Sequence, residues 1–263
     1  MVLISVTTVG IVGLVAPQRW WDGVGGTLTQ GIGFIAAGAT INVALVRRGW
    51  STWGTLGWGS TGIPQDFGFG IAAGVIMAFG TLGIVFAVGG AEIYLSGESF
   101  GGYLSGAVPV GAVLAVAALG EELVFRGYPL ARLARSLGRV GASLTLALVF
   151  ASVHLWNPDV SAFGLANVAL ASLVLSAAFF GPGGLPAAWG VHLAWNGTFA
   201  LVVDAPVSGI RFDVPAVEYE SGIHEWITGG AFGPEGGLAT TVVMTVALVW
   251  FVRRAKREKG NGT

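Results

Sequence analysis

Long apolar stretches separated by short polar connections are the feature that most limits how this chain can fold. Apolar residues make up 54% of the 263 residues and charged residues only 10%, which exceeds what one ordinary soluble core can bury. Since a helical membrane span takes about 20 residues, the chain has room for roughly eight. We therefore predict an all-α, polytopic membrane helical bundle of about eight transmembrane helices with a polar site inside the bundle.

Prolines, glycines and interfacial tryptophans mark the ends of the predicted spans. The fourth span is expected to kink or stop at Gly127-Tyr128-Pro129, because proline breaks helical hydrogen bonding. The other predicted spans cover residues 2–16, 27–46, 68–90, 141–156, 161–180, 185–203 and 237–252, and the fourth begins at about residue 106.

The basic residues predict how the chain is oriented in the membrane. If the chain crosses the membrane eight times, three basic clusters lie on one side: Arg47-Arg48, the turn at 132–139 and the tail at 253–259. Arg19 is the one basic residue that does not agree with this orientation. Since cytoplasmic loops carry the excess of Lys and Arg, we expect a multi-pass protein of the cell membrane with both termini cytoplasmic. The acidic stretches 91–98 and 204–236 then lie outside.

A few strongly polar side chains fall within the predicted spans, where an unpaired charge costs from about 3 to more than 10 kcal/mol. They are Glu121, Glu122, Arg126, His154, His192 and Asn196. The chain has no cysteine, which excludes disulfides, thiolate nucleophiles and cysteine-ligated metals.

Helical spacing divides these residues into groups. Glu122 and Arg126 are four apart and share a helix face, with the acid first, the favourable order for an ion pair. Glu121 points elsewhere and is left free for proton transfer, while His192 and Asn196 share a face. Two simpler interpretations stay open: an ion pair that reaches the cytoplasmic headgroups, and polar residues that only join helices.

Three motifs built from these residues resemble the CPBP family, which contains the type II CAAX prenyl proteases and the bacteriocin-immunity (Abi) membrane proteins. They read Glu121-Glu122-Leu123-Val124-Phe125-Arg126-Gly127, Phe150-Ala151-Ser152-Val153-His154 and His192-Leu193-Ala194-Trp195-Asn196. The resemblance defines a catalytic core at 104–203, containing spans four to seven. Residues 1–103 then hold the first three spans and a tryptophan-rich connection, and 204–263 an acidic extracytoplasmic loop, the last span and a basic tail.

What the resemblance implies is an intramembrane endopeptidase in which Glu121, aided by His154, activates a water. His192 and Asn196 would stabilise the oxyanion, supported by Glu122 and Arg126. Residue chemistry alone also allows a zinc ion held by Glu121, His154 and His192; the resemblance favours a metal-free site.

The expected substrate is a membrane-associated peptide or protein, with prenylated CAAX-type substrates among the candidates. We expect contact with the lipid bilayer and none with nucleic acid, and the oligomeric state is left open. The alternatives are a non-proteolytic membrane scaffold or bacteriocin-immunity protein, whose effect would survive Glu121→Gln, and a small transporter. The absence of a repeated half in the sequence counts against the transporter.

Overall fold

The computed structural model describes residues 24–59, 62–214, 216–222 and 224–260. This part of the chain is mostly helical, as predicted, with seven long helices. They are α1 (Val24–Arg47), α2 (Ile63–Ala87), α3 (Phe100–Phe125), α4 (Tyr128–Val153), α5 (Ala162–Phe179), α6 (Gly184–Gly197) and α7 (Leu238–Gly260). Strands β1 (Ala91–Leu95) and β2 (Val217–Ser221) pair antiparallel.

Five helical stretches among the described residues are long and apolar enough to cross a membrane. They are Val24–Arg47, Gly54–Ala87 without residues 60 and 61, Phe100–Val153, Ala162–Phe179 and Leu238–Arg257. Predicted span four and most of predicted span five fall within one of these stretches, Phe100–Val153, and α6, with 14 residues, is too short to count by itself. The predicted first span and Arg19 lie outside the described residues. The figure of about eight spans is therefore not confirmed.

Close helix crossings in the bundle depend on glycine. A Cβ atom added to Gly31 of α1 would lie 2.8 Å from the Cα of Ala117 in α3, and one added to Gly38 would lie 2.7 Å from the Cβ of Leu123. Small residues at such crossings let helix backbones approach closely, as is common in membrane bundles. Because residue numbers increase together along this contact, α1 and α3 run parallel.

Helix α3 ends in the middle of the bundle. Arg126, which caps its C-terminus, donates a hydrogen bond of 2.9 Å to Ser172 Oγ, midway along α5. Arg139 instead lies over the ring of Phe180, at the C-terminal end of α5. The first half of α4 therefore continues to the end of the bundle, where Gly138 (φ 71°) turns the chain back, a conformation that glycine adopts readily. The break predicted at Gly127-Tyr128-Pro129 is confirmed.

The three basic clusters lie at one end of the bundle. Arg47 is at the C-terminal end of α1, which runs parallel to α3 and so points toward the end that holds Arg139. The Arg254 guanidinium of α7 lies 4.0 Å from the ring centre of Phe69, near the start of α2. Helix α2 begins beside α6, since Gly70 packs against Ala187, and α6 follows directly after α5.

The described residues of segment 203–237, which contains the acidic stretch 204–236 predicted to lie outside, fold against the opposite end of the bundle. Asp204 in this segment accepts a hydrogen bond of 2.9 Å from the backbone N–H of Val214 and lies 3.6 Å from Arg211. Burial raises the pKa of the Asp204 carboxyl, although the Val214 amide and Arg211 oppose the shift. Tyr219 on β2 is only 1% exposed. The segment predicted as an extramembrane loop is therefore folded, and it packs over this end of the bundle.

Candidate active site

Four side chains predicted to act together line one cavity of about 120 Å³. Glu121 comes from α3, His154 from the C-terminal cap of α4, and His192 and Asn196 from α6. The cavity is otherwise largely apolar, with contributions also from α1, α5, α7 and the segment 203–237. The structure therefore brings together all four residues from three separate sequence motifs.

Glu122 and Arg126 form the predicted ion pair, with Arg126 Nη1 3.1 Å from Glu122 Oε1. Both side chains are 0% exposed, so the alternative that this pair reaches out to the headgroups is wrong. Arg126 also donates to Ser172 and stacks over the ring of Phe150, 4.5 Å from its centre. Such contacts help to offset the loss of hydration of a buried ion pair, although Glu122 Oε2 and Arg126 Nε have no hydrogen-bond partner among the described residues.

Glu122 has a second partner that sequence spacing did not reveal. His192 Nδ1 lies 2.8 Å from Glu122 Oε1, while its Nε2 lies 3.8 Å from Glu121 Oε2. Since a carboxylate only accepts hydrogen bonds, Nδ1 carries a proton that it donates to Glu122. The imidazole is therefore oriented by one glutamate so that its other nitrogen faces the second.

Glu121 differs from Glu122 because it lines the cavity and forms no ion pair with Arg126, although Oε2 of each glutamate has no hydrogen-bond partner among the described residues. The Glu121 side chain is 17% exposed, and its Oε2 atom is buried. Buried polar atoms usually have partners, so an unpaired carboxylate oxygen in a cavity is a position where a substrate or a water can bind.

Phe150, the first residue of the second motif, explains the spacing of that motif. It lies one helical turn before His154, its ring centre is 4.7 Å from that of His154, and its carbonyl oxygen is 2.7 Å from His154 Nδ1. Because a carbonyl oxygen only accepts, this contact places a proton on Nδ1 of His154, and Nε2 is the ring nitrogen that is not used by Phe150. The same phenyl ring lies under Arg126.

Glu235 is a cavity residue that the sequence did not single out. It was one of several acidic residues in a polar segment, yet its side chain is 7% exposed and lines the same cavity. Trp195, inside the third motif, donates its indole N–H to Glu235 Oε1 at 2.7 Å. The sequence signal that could have identified it is its position directly before the last span, after Pro234.

The proposed alternative of a bound zinc ion does not fit this arrangement. Among the described residues, no three His, Cys, Asp or Glu side chains come together as a metal-ligand group. Glu121, His154 and His192 share the cavity, but they are not gathered around one point as the three protein ligands of a catalytic zinc would be.

The fold and the cavity define a helical membrane protein with a buried carboxylate–histidine site. Residues 104–198 match the family model described as Type II CAAX prenyl endopeptidase Rce1-like. The match contains all three motifs and confirms the resemblance to the CPBP family. It supports a protease, a hydrolase of the CAAX type, in general terms. No curated protein and no solved structure matches the chain.

Proposed function

We propose that this chain is an intramembrane endopeptidase that hydrolyses a peptide bond of a membrane-associated substrate without a metal ion. The observation that carries the proposal is the convergence of Glu121, His154, His192 and Asn196 on one cavity, where a buried oxygen of Glu121 accepts no hydrogen bond from any described residue. The similarity of residues 104–198 to a CAAX endopeptidase family makes prenylated peptides the first substrates to test.

Glu121 is the general base of the proposed reaction. Its carboxylate takes a proton from a water whose oxygen then attacks the peptide carbonyl, while His154 Nε2 accepts the other hydrogen bond of that water. Collapse of the tetrahedral intermediate breaks the C–N bond, and the proton held by Glu121 passes to the leaving amine. No hydrogen bond or ion pair joins Glu121 to His154 in the described chain, which leaves both free for the water.

His192 and Asn196 stabilise the oxyanion in this proposal. Asn196 can donate through its amide, and it lies one turn after His192 on the cavity side of α6. His192 needs a proton on Nε2 to donate there, which makes the ring an imidazolium held between Glu122 and Glu121. Donors fixed in place before the reaction are a large source of transition-state stabilisation.

Glu122 and Arg126 support the site in the same proposal. Glu122 is the hydrogen-bond acceptor that fixes the His192 ring, and Arg126 compensates the charge of Glu122 at the end of α3. Neither residue lines the cavity, so neither is expected to touch the substrate.

We further propose eight membrane spans, with both termini in the cytoplasm. The three basic clusters meet at one end of the bundle, which agrees with the excess of basic residues expected on the cytoplasmic side. The acidic segment 203–237 then covers the outer end. The orientation can be tested because the chain has no cysteine. A single cysteine introduced at one end of the bundle can be labelled by a membrane-impermeant maleimide only if that end faces the outside.

Cleavage by the purified protein in liposomes tests the proposed function. The substrate is a quenched fluorescent peptide ending in a farnesylated CAAX sequence, compared with the same peptide without the lipid. We expect Glu121→Ala, His154→Ala and His192→Ala to abolish cleavage, while the control Glu220→Ala, an exposed residue on β2, cleaves like wild type. Cleavage at the wild-type rate by any of the three variants would refute the assignment.

A further inference from the structure

The carboxylate of Glu235 accepts three hydrogen bonds at the outer end of the cavity. Its Oε1 accepts from the indole N–H of Trp195 at 2.7 Å. Its Oε2 accepts from the backbone N–H of Ser208 at 2.6 Å and from the Ser208 hydroxyl at 2.7 Å. No Lys, Arg or His in the described chain forms an ion pair with it. Among the described residues, these three hydrogen bonds are the contacts that the Glu235 carboxylate makes.

The two carboxylate oxygens of Glu235 accept hydrogen bonds from groups in different parts of the proposed active site. Trp195 stands directly before Asn196 on α6 and one turn after His192. On the other side, the Ser208 carbonyl accepts a hydrogen bond of 2.9 Å from Asn157 Nδ2, three residues after His154. One carboxylate thus joins the end of α4, which carries His154, to the helix that carries the oxyanion donors.

The backbone of Glu235 is itself fixed to the bundle. Asn167 of α5 donates to the carbonyl oxygens of Glu235 (2.8 Å) and Gly237 (2.9 Å). Thr241 of α7 donates in turn to Asn167 Oδ1 at 2.7 Å. The carboxylate therefore projects from a rigid base, which is a requirement for a group that sets the position of others.

We propose that Glu235 is a positioning residue that sets His154 relative to His192 and Asn196; this inference rests on the proposed function. A carboxylate suits the task because both of its oxygens accept hydrogen bonds, whereas a glutamine offers one accepting oxygen and one donating nitrogen. In Glu235→Gln the amide nitrogen must face the donor of either Trp195 or Ser208. One of the two connections is then lost.

The first test compares the kinetics of Glu235→Gln with those of Glu218→Gln, which changes an exposed glutamate on β2. A small displacement of catalytic groups lowers the rate by about tenfold to a hundredfold. We expect kcat of Glu235→Gln to fall by that factor with KM within twofold of wild type, and Glu218→Gln to behave like wild type. An unchanged kcat, or a change confined to KM, overturns the proposal.

A second substitution separates positioning from loss of folding. Adding Trp195→Phe to Glu235→Gln removes the indole donor that opposes the amide nitrogen, so the glutamine oxygen can keep its bonds to Ser208. We expect the double variant to recover at least threefold in kcat over Glu235→Gln alone. A double variant as slow as the product of the two single effects overturns the proposed connection through Trp195.

Hydrogen exchange measures the same connection without any substrate. In Glu235→Gln we expect amide exchange to accelerate at least tenfold in residues 152–158 and 205–210, with no change in Glu218→Gln. Unchanged exchange overturns the positioning role, whatever the activity. Failure of the proposed function is recognised separately, because wild type would then cleave nothing or Glu121→Ala would cleave like wild type.

Discussion

Replacing Arg126 by methionine removes the cation that pairs with Glu122 inside the bundle while keeping an unbranched side chain of similar length. The guanidinium lies 3.1 Å from Glu122 Oε1 and 2.9 Å from Ser172 Oγ, and its side chain is fully buried. Methionine can fill the space over the Phe150 ring, but it cannot donate. Glu122 would then keep His192 as its remaining partner.

The expected loss of stability follows from the burial of this pair. Removing one partner of a buried ion pair costs about 3–5 kcal/mol, because the other charge stays in a region of low dielectric. At about 2–4 °C per kcal/mol for a chain of this size, the Tm should fall by about 6–20 °C. Replacing both partners, as in Glu122→Leu with Arg126→Met, should cost less than Arg126→Met alone, since the Glu122 carboxylate no longer stays buried without its cation; the remaining cost comes from His192 Nδ1, which loses its acceptor.

Unfolding of the purified protein in detergent, followed by tryptophan fluorescence, measures these differences. The matched control is Arg132→Met on α4, whose exposed guanidinium donates to Ser136 Oγ; we expect it to change stability by less than about 0.5 kcal/mol. If Arg126→Met stays within about 1 kcal/mol of wild type, or if the double variant costs the sum of the two single changes, the argument from burial is refuted.

Three further outcomes are expected. Asn196→Leu should lower kcat by about a hundredfold to a thousandfold with little change in KM, because an oxyanion donor acts mainly in the transition state. Exhaustive chelation of the purified protein should leave its cleavage rate unchanged, because the proposed site uses no metal. Gly120→Ala should destabilise the bundle by about 1–3 kcal/mol, since its Cβ would lie 2.7 Å from the carbonyl oxygen of Gly31.

Each of these outcomes has a control or a result that contradicts it. The control for Gly120→Ala is Gly83→Ala in α2, which places its Cβ in open space and should be neutral or stabilising by up to about 1 kcal/mol. Equal effects of Gly120→Ala and Gly83→Ala on stability would argue against close packing at Gly31. A loss of activity restored only by zinc would contradict the metal-free site. A rise in KM without a fall in kcat would show that Asn196 binds substrate only.

Helical periodicity was sufficient to predict contacts within a single helix. The pairing of Glu122 with Arg126 and the shared face of His192 and Asn196 both follow from a separation of four residues, and both hold in the structure. The break after Arg126 was also predictable, because glycine and proline interrupt helices locally. The contact between His192 and Glu122 was not predictable, because no periodic rule connects residues on different helices.

Composition and spacing by themselves determined that this chain is a helical membrane protein with a carboxylate and two histidines set among apolar residues. They did so because the hydrophobic requirement of a span and the geometry of one helix are local properties. Only the tertiary structure decided that Glu122 is shared between Arg126 and His192, that Glu121 lines the cavity beside His192, and that Glu235 reaches the site from an acidic segment. Those features depend on how separate helices pack, and distance along the sequence does not encode that packing.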